Sequence, residues 1–178
     1  SISAEQIDFN DEPCALMQIT DITERKQAEK KLRESETRLR QVLESTQEAI
    51  FAIDQDYRLL INNQRHQQVL VASGGHPFEI GEGVLSPSYP PDVCDFWRAA
   101  YDRALAGEAF QLELAWTDIN GQPRVYENSF APLRDAEDRI FGVLVVAHNI
   151  TERKQTEEKL RESEKRFATL FHYNPIPV

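Results

Sequence analysis

Two cysteines and four histidines are the side chains of this sequence best suited to act as nucleophiles, proton carriers or metal ligands. Their placement supports none of those roles. Cys14 and Cys94 stand far apart in unrelated contexts, and His66, His76, His148 and His172 do not fall at metal-ligand spacing with each other or with a cysteine. No Ser/His/Asp set is legible. Gly74-Gly75, Gly81 and Gly83 do not lead into a helix as a phosphate-cradling loop does, and read as turns. The sequence therefore offers no catalytic and no metal-binding residue. It does offer binding chemistry. Phe78, Trp97, Tyr101, Phe110, Leu112, Leu114, Trp116, Tyr126 and Asn128 fall where they could line a space between helices and a sheet, mostly apolar with a few polar groups. The other reading is that these side chains simply fill the core. His66 and His148 could line the pocket or lie at the surface, the favoured reading being surface or satisfied core histidines, and Cys94 reads as a small buried apolar side chain.

The elements that would hold such a space are organised around a segment that occurs twice. Residues 22–38 (ITERKQAEKKLRESETR) and 150–166 (ITERKQTEEKLRESEKR) differ only at 28, 30 and 37, at an offset of 128 (150 − 22). Both copies are rich in strong helix formers. Asp21 with Glu24, and Asn149 with Glu152, have the spacing of a helix cap, and Thr23 or Thr151 is a second cap candidate. Arg25 and Arg153, one turn on, are placed to pair with an acid of an adjoining sheet. Asp21, Thr23, Arg25, Asn149, Thr151 and Arg153 are thus the candidates for coupling helix to sheet. With Leu32 at heptad position a, Ala28, Ser35, Leu39 and Val42 continue an a/d seam, which Leu160 and Phe167 repeat in the second copy. That seam suits a parallel pair of helices able to shift. A single copy would equally fit a solvated helix laced with i,i+4 ion pairs, and the repetition favours a connector.

Between the copies the pattern is that of an α+β module. The expected division is 1–20, the C-terminal hairpin of a preceding module or one that pairs elsewhere; 21–41, a connector helix; 42–149, one complete module; 150–166, a second connector; and 167–178, the start of a following module. Inside the module, 48–54 and 58–62 read as strands, 64–72 as a helix stopped by Ser73-Gly74-Gly75, and 92–106 as an amphipathic helix. The stretches 109–117, 123–133 and 139–148 read as three strands. The last is almost continuously apolar, which predicts cover on both of its faces.

Composition bounds the partners. The 178 residues, 40% apolar, suffice for one moderate core, and the net charge of −10 comes with no basic stripe for nucleic acid. No apolar run is long enough to span a bilayer and no signal peptide is legible, so a reduced, cytoplasmic setting is expected. The chain begins SISAEQIDFND without Met and reads as a segment of a longer protein.

The order strand-strand-short helices-helix-three strands, with Asn149-Ile150-Thr151-Glu152-Arg153-Lys154 directly after the Gly142–Val146 strand, resembles the PAS/PAC sensor domain; Asp21-Ile22-Thr23 repeats the junction. The resemblance covers 42–154 as a whole module. It implies a PAS fold, with a five-stranded antiparallel sheet, helices packed on one face and long signalling helices on either side. It also implies tandem modules in a bacterial signalling protein, most often a sensor histidine kinase and sometimes a diguanylate cyclase. In that family the helices carry a change in the sheet through a dimeric coiled coil to a C-terminal output domain. The expected partners are a second copy, neighbouring modules, that output domain and a small-molecule ligand. No cofactor is assigned. Cys94 lies in PPDVCDFWR rather than a flavin-adduct motif, residues 92–106 hold no His for a haem, and no C-x-x-C-H occurs. No histidine is followed by the acidic neighbour of a kinase phosphoacceptor, so any kinase chemistry lies outside this chain. Three functions remain open: a ligand-holding sensor, an empty dimerising relay, and an enzyme fragment.

Overall fold

A computed structural model describes residues 2–9, 12–19 and 21–173, with side chains from 21 to 168. The chain divides into two compact units, 1–43 and 44–178. In the first, β1 (Ile2–Phe9) and β2 (Glu12–Ile19) pair antiparallel, Ile2 opposite Ile19, and α1 (Thr23–Ser45) follows, its last two residues belonging to the second unit. The sequence predicts this hairpin's turn at Asn10-Asp11-Glu12-Pro13; Glu12 and Pro13 instead open β2, opposite Phe9 and Asp8, and Asn10 and Asp11 lie outside the described residues.

The second unit holds β3 (Ala49–Asp54), β4 (Leu59–Asn62), α2 (Gln64–Ala72), α3 (Pro91–Leu105), β5 (Phe110–Thr117), β6 (Pro123–Arg134), β7 (Ile140–Asn149) and α4 (Thr151–Tyr173). The five strands form one antiparallel sheet in the order β4-β3-β7-β6-β5, so the first and last strands of the unit meet at its centre. Register then fixes the faces. Phe51 opposes Val145, Val145 opposes Phe130, and Phe130 opposes Phe110, which places all four side chains on one side. On that side α2 packs on β3, and α3 packs on β6 and β7. Ala100, Tyr101 and Ala104 are the buried stripe of α3, at the i, i+1, i+4 spacing of one helix face. Pro91 opens α3, where a missing N–H costs nothing, and Gly107 leaves it at φ +100.

Strand β7 is threaded closely against β3. A Cβ on Gly142 would fall 2.2 Å from the Ile53 carbonyl oxygen, so no larger residue fits there. The apolar run of β7 predicts cover on both faces, and the outcome is uneven. Val143 and Val145 are buried on the core side, Leu144 and Val146 are half-buried on the other, and Phe141 is exposed.

The helices run further than their repeated segment. Each spans 23 residues, and both ends keep the 128-residue offset, Thr23 to Thr151 and Ser45 to Tyr173. The connector predicted to end at 41 continues to Ser45. The one predicted to end at 166 continues through the residues assigned to a following module as far as Tyr173; 174–178 lie outside the described residues.

Candidate functional site

Helices and sheet leave between them a cavity of about 710 Å³, within the size range of small-molecule sites. Seven of the nine predicted lining residues surround it: Phe78, Trp97, Tyr101, Leu114, Trp116, Tyr126 and Asn128. Both tryptophans of the chain are among them. Phe110 and Leu112 pack against the core instead. Phe110 stacks on Phe130 at 4.8 Å between centroids, under the Arg103 guanidinium at 3.8 Å. The strand alternation that put these two on the inner face could not tell core from cavity, because Phe110 and Leu112 share that face with Leu114 and Trp116, which line the cavity.

Two polar residues complete the site: Asn63, which the sequence reading missed, and His66, for which it favoured another place. Asn63, 2% exposed, caps α2: its Oδ1 accepts from the N–H groups of His66 and Ile50, both at 3.0 Å, and its Nδ2 donates to the Glu48 carbonyl at 2.8 Å. It thereby ties the start of α2 to the start of β3. The signal in the sequence was only an Asn ahead of a helix. His66, in the first turn so fixed, is neither a surface nor a satisfied core histidine. It is 6% exposed, lies flat on Phe51 with 4.2 Å between ring centroids, and lines the cavity. Its Nδ1 is buried with no hydrogen-bond partner among the described residues. Burial lowers its pKa to about 4, so the imidazole is neutral at physiological pH. Cys94 also departs from its expected place, being half-buried in the cavity wall with Sγ donating to the Ser86 carbonyl at 3.4 Å. His148 is at the surface, its Nδ1 2.6 Å from Glu48 Oε1.

The floor of the cavity adjoins the second helix junction. Tyr126, on the inner face of β6, stacks on Trp116, and its hydroxyl accepts from Asn149 Nδ2 across a long 3.4 Å. Asn149 Oδ1 in turn accepts the N–H of Thr151, the first residue of α4, at 3.0 Å. Val125 N–H donates to Thr151 Oγ1 at 2.9 Å, Ile150 N–H donates to the Val125 carbonyl at 2.9 Å, and the Ile150 side chain is fully buried. Arg153 reaches Glu127 on β6 at 3.4 Å and Lys154 reaches Glu113 on β5 at 2.7 Å. Ile150 and Lys154 stood in the sequence only as members of the junction motif, with no hint of what they would touch. At the first junction Asp21 Oδ1 accepts from Thr23 N–H at 2.9 Å, while Arg25 pairs with Glu29 along the helix. The seam residues Ala28, Leu32, Ser35, Leu39, Val42, Leu160 and Phe167 are all exposed.

What this arrangement can do is enclose and position. Among the described residues no group of three His, Cys, Asp or Glu side chains could hold a metal ion. Asp92, at the exposed start of α3, is the one charged side chain of the cavity lining. Residues 43–155 match the family described as the PAS fold. The chain belongs to the PAS fold family. Its five-stranded antiparallel sheet with flanking helices is the PAS fold of the α+β class.

Solved structures share this PAS fold at low identity. The PAS domain of BvgS from Bordetella pertussis is 19% identical with a TM-score of 0.53, covering 75% of this chain and 98% of that one. A phage VqmA–DPO complex is 16% identical with a TM-score of 0.55, over 74% of this chain and 60% of that one. A VqmA–ligand–DNA complex from Vibrio cholerae is 13% identical with a TM-score of 0.53, over 62% and 50%. These likenesses concern the fold alone. Comparison with curated proteins gives no match. As a PAS domain, residues 43–155 are a sensory module of a kind that is generally non-catalytic. No helix among the described residues is long and apolar enough to cross a membrane.

Proposed function

We propose that this PAS module is a signal relay of a bacterial multi-module sensor, in which the state of the cavity sets the pose of α4. The observation that carries the reading is the short chain of contacts from cavity wall to helix start. Tyr126 lines the cavity, Asn149 donates to its hydroxyl, and the same Asn149 holds the first N–H of α4. A shift of the Tyr126 ring therefore changes the support of a helix end, where an unmet N–H is costly. Arg153 and Lys154 convert that into a movement of the helix relative to β5 and β6, and Asp21, Thr23 and Arg25 would serve the first junction likewise. The exposed seam of Ala28, Leu32, Ser35, Leu39, Val42, Leu160 and Phe167 supplies the pairing surface for a second copy. On this reading the hairpin 1–20 and the end of α4 belong to neighbouring modules. The output is a histidine kinase, or alternatively a diguanylate cyclase, and the setting is cytoplasmic with no nucleic-acid contact by this acidic stretch. An empty, ligand-free spacer that only dimerises is the second reading, and the low charge of the exposed seam supports it as well as the first.

The test grafts the chain upstream of a histidine kinase catalytic region and compares Asn149→Ala with wild type. Loss of the cap should cost about 1 kcal/mol, leave the sheet folded by circular dichroism, and uncouple kinase output from the PAS module. Unchanged output would refute the coupling. Native mass spectrometry of freshly purified protein separates sensor from spacer, a retained small molecule marking the former.

A further inference from the structure

The cavity's chemistry is more selective than its size. Its walls are mostly aromatic faces and aliphatic branches, with the uncharged polar side chains of Ser73, Thr117 and Asn128 among them, and its depth carries no formal charge. Asp92, the one charged lining residue, sits at the exposed mouth with Val93 and Phe96. An anion entering would pass that carboxylate and find no cation inside, and a buried cation would leave its only counter-charge behind. Burying either without a partner is costly. Two lining side chains carry a buried, unpartnered polar atom, Tyr89 at its hydroxyl and His66 at Nδ1, and of the two His66 is the one clamped by the Asn63 cap and stacked on Phe51. A buried polar atom without a partner is itself unfavourable, and a molecule that meets it recovers that loss. We propose that the cavity takes an uncharged, flat aromatic molecule bearing one polar group, which hydrogen-bonds to His66 Nδ1. Two stacked aromatic pairs belong to the wall, Trp97 with Tyr101 and Trp116 with Tyr126, and aromatic linings of this kind favour a flat aromatic guest. The neutral imidazole donates or accepts at Nδ1 according to its tautomer, so a hydroxyl or a ring N–H suits it. This rests on the sensory reading above and names the class of molecule sensed.

The probes are 2-naphthol, naphthalene, 2-naphthoate and 2-(aminomethyl)naphthalene, titrated calorimetrically into the 178-residue chain near pH 7.5. The skeleton is constant and only the polar group and charge vary. The expected result is that 2-naphthol binds at least tenfold more tightly than either charged probe and more tightly than naphthalene. In His66→Phe, which keeps a ring against Phe51, 2-naphthol falls to the affinity of naphthalene while naphthalene itself is retained. A charged probe binding as well as 2-naphthol overturns the proposal, as does a 2-naphthol preference that survives in His66→Phe. The charge series uses the wild-type chain, so it decides even where the variant fails to fold. Binding of none of the four overturns the ligand class but leaves the coupling at α4, which Asn149→Ala tests separately.

Discussion

At the scale of single residues, His66 concentrates what is unusual about this domain. A folded state that holds the imidazole neutral, with a pKa of about 4, competes with an unfolded chain in which histidine protonates near 6.5. Protons therefore bind the unfolded state first. The stability contributed by the neutral form is complete above pH 6.5 and drains away as the pH falls towards 4. Between pH 8 and pH 4 this one group should remove about 3 kcal/mol. Urea unfolding at the two pH values should show His66→Phe losing that much less than wild type; equal losses would mean that the ring is solvated in the folded state. Asp118, at the β5–β6 turn, runs the same way as His66 but at lower pH. Hydrogen bonds from the Gln122 N–H and the Arg124 guanidinium hold its carboxylate below the usual range, so its support is lost only in stronger acid.

At the scale of elements, β7 joins the two halves of the sheet and borders both cavity and junction. Its contact with β3 depends on Gly142, where an added Cβ would strike the Ile53 carbonyl oxygen, a backbone atom that cannot step aside. Gly142→Ala should destabilise the domain by about 3 kcal/mol. Thermal denaturation would show it, and a loss below about 1 kcal/mol would mean the strands separate there at little cost. The strands and helices themselves were legible, because period-two runs such as Phe110-Leu112-Leu114-Trp116 and the apolar stripe of α3 have no rival reading. The cavity was legible as a face but not as a volume. Alternation assigns Phe110 and Trp116 alike to the inner side, and only the tertiary packing decides that Phe110 joins the core while Trp116 lines the cavity. His66 and Asn63 were opaque for a different reason. Their roles depend on partners at the start of β3 (Glu48, Ile50 and Phe51), contacts that exist only once the sheet has formed.

At the scale of the whole molecule, two helices of equal length, beginning and ending 128 residues apart, frame one PAS domain. On the proposed pairing, Leu32 and Leu39, each more than 60% exposed, meet their equivalents in a second copy. Leu32→Glu with Leu39→Glu should convert a dimer to a monomer in sedimentation experiments while leaving the sheet intact. A wild-type chain that sediments as a monomer at high micromolar concentration would rule the pairing out. The tryptophans have a practical consequence of their own. Trp97 and Trp116 are the chain's whole complement of indoles, and both border the same enclosed space. The emission of the untouched protein therefore comes wholly from two half-buried indoles at that space, so that what enters or leaves it can be read as a change in the colour or brightness of the light, with no dye attached and no indole elsewhere to dilute the signal.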